Sequence, residues 1–125
     1  MQTRNQEIAA DVFDRVKHLE NNPKKKQYGS MAHKLPVLIQ TAGLVQALSF
    51  VQAKSTSKSG KILETLLNDL AQTLEFTDSN ALVSASRNAE LSKYMYLTKI
   101  SLAALLWYKR FAQSVLGVEA GETDE

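Results

Sequence analysis

Apolar residues in this chain recur every three or four positions, and no alternating run is long enough to argue for a sheet. That period restricts the chain to packed helices, so the expected fold is all-α. Thr3 can cap a first helix running to about residue 19, with Ile8, Val12, Val16 and Leu19 on one stripe. Asn21, Asn22 and Pro23 stop it, and Lys24, Lys25 and Lys26 extend the loop. Ser30 can cap a second helix over about 30–40. Pro36 would remove one backbone hydrogen bond there, so either it kinks that helix or the helix begins at it. Gly43 breaks the run, and a third helix over 44–53 presents Leu44, Ala47, Leu48 and Val51 together.

Residues 54–60, reading KSTSKSG, form a flexible polar loop. A fourth helix over about 61–74 turns Ile62, Leu63, Leu66, Leu67 and Leu70 inward. A turn at 77–80 precedes a short helix near 81–86. The last helix, about 88–116, is the longest, on the order of 40 Å at the standard rise. Its middle, ISLAALLWY, is apolar on nearly every side, which calls for enclosure by other helices or by a partner. Gly117 is its stop. The expected architecture is a compact single-domain bundle of about five to six helices over 1–118 with a long C-terminal helix. Residues 119–125 are too acidic to pack and are expected as a disordered tail.

At 125 residues the chain can bury roughly two-thirds of its unfolded surface, enough for a core without crosslinks. It has no cysteine, which excludes disulfide frameworks, thiolate metal sites and cysteine nucleophiles. A cytoplasmic location is the natural reading, because small secreted domains usually need crosslinks. The opening MQTRNQEIAADVF carries early acids and no apolar segment, unlike a signal peptide. The longest apolar stretch, near 102–108, is too short to span a bilayer.

Charge is unevenly placed. Between Glu20 and Glu64 stand seven lysines (Lys24, Lys25, Lys26, Lys34, Lys54, Lys58 and Lys61) and no acidic residue. Residues 1–61 hold 10 basic and 4 acidic residues, whereas residues 62–118 balance at 5 and 5. The excess positive charge therefore lies in the first half, and it points to a polyanionic partner or to a solvated lysine face. Lysine is a flexible point charge suited to phosphate contact without base readout. Lys109 and Arg110, just after Trp107, are the residues of the last helix expected to reach solvent and touch phosphate or a partner.

Other constellations carry less. Glu7, Asp11 and Asp14 share a face of the first helix, but Arg15 follows Asp11 by four and Lys17 follows Asp14 by three, as in ordinary surface ion pairs. His18 and His33 are far apart, and neither a zinc motif nor a glycine-rich phosphate loop is present. Arg15 and His18 are too close for a helical ribonuclease motif. No enzymatic activity, cofactor or metal is expected. Tyr94, Tyr96, Trp107, Tyr108 and Phe111 could stack on bases, but among leucines at helical spacing they read as core.

The block KLPVLIQTAGLVQALSFVQAK, preceded by Tyr28, Met31 and Ala32, resembles the signature of one family of CRISPR proteins. That family is the small helical subunit of type III-B (Cmr) RNA-targeting effector complexes. Arg4-Asn5-Gln6-Glu7-Ile8-Ala9, Tyr94-Met95 and Trp107-Tyr108-Lys109-Arg110-Phe111 extend the likeness over residues 3 to about 115. The resemblance implies a non-catalytic subunit, copies of which stack into a filament beside backbone subunits holding guide RNA and cutting target RNA. It also implies contact with the large subunit and with both RNA strands. It makes Lys24, Lys25, Lys26, Lys34, Lys54, Lys58 and Lys61 the expected nucleic-acid face. A protein spacer, with its lysines turned to acidic neighbouring subunits, is the competing reading.

Overall fold

Thr3 opens the first helix through a reciprocal cap. Its hydroxyl accepts the Gln6 backbone N–H at 3.1 Å, and the Gln6 side chain accepts the Thr3 backbone N–H at 2.8 Å. In the computed structural model, which describes residues 2–121, this helix is α1, Arg4–Lys17. It is followed by α2 (Lys25–Ala42), α3 (Leu44–Ser55), α4 (Lys61–Thr73), α5 (Ser79–Asn88) and α6 (Leu91–Ser114). The all-α expectation, with six helices and a long last one, holds among the described residues. Of the expected acidic tail, residues 122–125 lie outside those described, while Glu119 accepts a hydrogen bond from the Gln113 amide at 2.7 Å.

The helix α4 organises the bundle. Ile62, Leu63, Leu66, Leu67, Leu70 and Ala71 are all buried, and α4 packs against each of the other helices. The long α6 lies along α1 and α2, and α3 and α5 close the remaining side of α4. Gly43, at φ +94°, is both the end of α2 and the start of α3, a backbone conformation that a residue with a Cβ rarely adopts.

Two helix boundaries differ from expectation. The second helix does not start at Ser30 or Pro36 but runs unbroken from Lys25 through both. Burial explains this, because the stripe Tyr28, Met31, Ala32, Leu35 and Ile39 begins before Ser30 and continues past Pro36. Lys25 and Lys26 consequently lie on the first turn of α2 rather than in a loop, with Lys24 at its N-cap. The loop after α3 begins at Thr56, so Lys54 belongs to a helix. The α6 middle is enclosed on one face only. Ser101, Ala104, Leu105 and Tyr108 are buried, but Leu106 is exposed, as are Leu91, Met95 and Tyr96 nearer the start of the helix.

A polar network crosses the bundle between α1, α2, α4 and α6. Arg15 Nε donates to Asp11 Oδ2 at 2.9 Å, as the i,i+4 spacing anticipated, and Arg15 Nη1 lies 3.7 Å from Asp69 Oδ1. Tyr28 donates to Asp69 at 2.8 Å. Thr73 donates to Asp11 at 2.7 Å, so its 2.7 Å contact with the Tyr108 hydroxyl must have Tyr108 as donor. The other expected i,i+3 pair is replaced: Lys17 meets Glu20 at 3.6 Å instead of Asp14. Burial raises the Asp69 carboxyl above its ordinary range, opposed by the Tyr28 hydroxyl and Arg15. Burial likewise raises both phenols, Tyr28 and Tyr108, well above the ordinary tyrosine value.

The native state therefore keeps both phenolic protons at a pH where the unfolded chain releases them. The phenols should leave stability unaffected below about pH 10 and lower it above, by about 1.4 kcal/mol per pH unit for each tyrosine. Urea unfolding between pH 9 and 12 should show that slope, and Tyr108→Phe should make it about half as steep. An unchanged slope in the variant would contradict the buried, proton-holding assignment.

Candidate nucleic-acid interface

The loop after α3 folds tightly back on its own helix. The Gly60 N–H is held by Ser57, through its carbonyl at 3.2 Å and its hydroxyl at 3.1 Å, and the Ser57 hydroxyl reaches the Lys54 carbonyl at 3.1 Å. Gly60 approaches Lys54 so closely that a Cβ there would sit 2.0 Å from the Lys54 carbonyl oxygen. This turn, against the start of α2, forms a hollow of about 310 Å³ lined by Lys24, Lys54, Gln27, Ser57 and Ser59. Lys24 is oriented by the Asn22 carboxamide, which accepts its backbone N–H at 2.7 Å.

Lys54 also lines a second hollow, of about 570 Å³, between α2, α3 and the end of α6. Its floor and walls are apolar, from Met31, Val37, Leu38 and Phe50, and Lys34 and Lys109 also line it. Phe50 is half exposed, and the Lys54 ammonium lies 5.3 Å from its ring centre. Past Gly117 the chain returns to α2, and His33 Nε2 meets the Val118 carbonyl at 2.8 Å. A carbonyl only accepts, so Nε2 donates, and the buried His33 Nδ1 has no hydrogen-bond partner among the described residues. Ala120 and Gly121 complete the rim.

Of the nine cations expected to face a polyanion, four are brought together: Lys24, Lys34, Lys54 and Lys109. Among the described residues no acid lines either hollow. Lys109 and Arg110 part company. Lys109 joins the second hollow, whereas Arg110 lies 5.0 Å from the Trp107 ring, whose Nε1 donates to Asn5 of α1 at 3.0 Å. Lys25 turns back to the Glu20 carbonyl at 3.1 Å. Lys26, Lys58 and Lys61 are exposed on the first turn of α2, in the 56–60 loop and at the start of α4.

Phe50, Val37, Ser57 and Ser59 escaped the sequence reading. Phe50 and Lys54 at i,i+4 on one helix were the available signal. Tyr108 is fully buried, as an aromatic at core spacing should be, while Tyr94 caps the α2–α3 junction by accepting the Val45 N–H at 3.2 Å. Asp11, Asp14, Arg15, His18 and Asp69 line a separate hollow of about 390 Å³. Among the described residues no group of three or more His, Cys, Asp or Glu is placed to hold a metal ion, and no helix is long and apolar enough to cross a membrane.

The fold and this surface define a small helical module that offers a cationic, apolar-floored face. Residues 4–115 match the family model described as CRISPR-associated protein (Cas_Cmr5), so the chain belongs to that family. It is 42% identical over 116 residues to the CRISPR system Cmr subunit Cmr5 of Thermus thermophilus, covering 93% of this chain and 98% of the relative. The crystal structure of a CRISPR-associated Cmr5 family protein, also from Thermus thermophilus, superposes with a TM-score of 0.84 at 41% identity, covering 92% of this chain and 99% of that one.

Because Gly60 leaves no room for a Cβ, Gly60→Ala should force the Lys54 carbonyl away and open the loop. Chemical denaturation should show a loss of about 1–3 kcal/mol. A fully stable Gly60→Ala protein would mean that the turn does not hold Lys54 in place.

Proposed function

We propose that this protein is a non-catalytic subunit of a type III-B CRISPR (Cmr) ribonucleoprotein effector complex, acting in antiviral defence in the cytoplasm. Copies stack along the guide RNA–target RNA filament, next to the backbone subunits and the large subunit, and touch nucleic-acid backbone through a lysine-rich face. Family membership supports the complex. The observation that carries the nucleic-acid contact is the convergence of Lys24, Lys34, Lys54 and Lys109 on two adjoining hollows with no acid among their described lining residues. Four ammonium groups on flexible stems suit phosphates and read no sequence.

The exposed apolar residues at the start of α6 (Leu91, Met95 and Tyr96) favour protein contact on that part of the surface, with a further copy or a larger subunit. They leave the lysine hollows free for RNA, which is why the two uses do not compete.

Binding to single-stranded RNA should weaken with salt, with a log–log slope near about −2.8 if roughly four phosphates are neutralised. Anisotropy titrations over a range of salt concentrations test this. Lys34→Ala with Lys54→Ala should flatten the slope by about half, whereas Arg110→Ala should leave it unchanged. Lys24→Glu, Lys25→Glu and Lys26→Glu together should abolish RNA binding without blocking assembly of RNA-free subunits. Loss of assembly in the absence of RNA would favour the protein-spacer reading.

A further inference from the structure

The two hollows differ in chemistry in the same way that the two halves of a nucleotide differ. One is polar and cationic, with Lys24, Ser57 and Ser59, and the other is floored by apolar side chains. Lys54 belongs to both. We propose that the apolar hollow is a base pocket, in which one unpaired base of a single-stranded RNA lies against Phe50 while its flanking phosphates meet Lys54, Lys24 and Lys34. The inference rests on the nucleic-acid reading above and adds to it a contact that phosphate neutralisation does not supply.

Size, exposure and charge each bear on this occupant. A hollow of about 570 Å³ falls within the roughly 300–1,000 Å³ of small-molecule sites. Phe50 is 50% exposed and Val37 57% exposed, an unusual pair of large apolar side chains to leave uncovered beside lysines. An apolar side chain of a protein partner could fill the same space. The three lysines lining the hollow, with no acid among its described lining residues, instead complement a polyanion. A duplex keeps its bases stacked inside, so only a single strand can offer one.

In the free protein the Lys54 ammonium lies beside the Phe50 ring at 5.3 Å. An exposed contact of that kind contributes a factor of about 2 to 5. Stacking of a base on an aromatic ring contributes about 5- to 150-fold per base. The exchange therefore favours the base, and the displaced ammonium gains a phosphate next to it. The base contact needs only a π-face, so it should tolerate any of the four bases.

The test compares a labelled 15-nucleotide oligouridine with an abasic ribose-phosphate oligomer of the same length and charge, at one fixed low salt concentration, using the full chain. The wild type should bind the oligouridine about 5- to 10-fold more tightly than the abasic strand. Phe50→Ala should bring the two affinities within about twofold with the salt slope unchanged, and Phe50→Trp should keep the preference. Circular dichroism checks that the variants are folded. Equal affinity of the wild type for both strands, with the salt slope intact, would overturn the base pocket, assign the hollow to a protein side chain and leave the backbone reading standing. No salt-dependent binding to either strand would overturn both.

Discussion

The hydrogen bonds that run from Tyr108 through Thr73 to Asp11 and Arg15, with the parallel bond from Tyr28 to Asp69, set the rotation of α6 and α2 about their own axes. Apolar packing alone would allow α6 to turn, because its middle is greasy on several sides. A hydroxyl buried without a partner costs about 1–3 kcal/mol, so Tyr108 admits one orientation. Successive residues of a helix lie about 100° apart, so once Tyr108 faces the network, Lys109 must face α2 and α3. Arg110 turns further, to Trp107 on the α1 side. The interior network thus decides which cation joins the hollow.

Much of the bundle was legible because one signal dominated locally. In α3 and α4 the apolar stripes, the glycines at 43 and 60 and the polar run between them all agree, and the helices formed where the periodicity put them apart from Lys54 and Ser55, which extend α3. In α2 the local signals conflicted. Ser30 looked like a cap and Pro36 like a break, but Tyr28 and Leu35 are both fully buried on one stripe, and that burial outweighs a lost backbone bond or a missing cap. On α6 the expectation of enclosure by other helices or by a partner is met on one face by the helices of this chain. Leu91, Met95 and Leu106 carry the same hydropathy as core residues, and only the positions of the other helices reveal that no described residue covers them.

The site was legible as composition and not as geometry. An acid-free lysine stretch marks the half of the chain involved, yet sequence spacing cannot show that Lys24 at the start of α2 and Lys54 at the end of α3 face one hollow. That meeting is made by the Gly60 turn, in which backbone touches backbone. Lys109 comes from 55 residues beyond Lys54 in the numbering, and its arrival depends on the network described above. The network itself joins residues as distant as Asp11 and Thr73, so on one helix Asp11 looked like an ordinary surface acid.

The choice of side chains on this face bears on what kind of recognition it can perform. Reading a base edge requires fixed donors and acceptors, typically an arginine fork or a carboxamide placed against one base. Lysines predominate on the hollows, and the partly exposed ring is a phenylalanine, which offers a face without directional hydrogen bonds. On the proposed reading both elements would act through properties common to every nucleotide, charge and a π-surface. Such a surface can follow a strand whose sequence is checked elsewhere by base pairing, and it can be repeated along that strand by successive copies without conflict over register. A base-reading surface could not be repeated in this way, because each copy would demand its own sequence. Among the described residues Gln27 is the one carboxamide lining these hollows, and on the proposed reading that scarcity of directional groups is what would make the face usable at every step along a strand of arbitrary sequence.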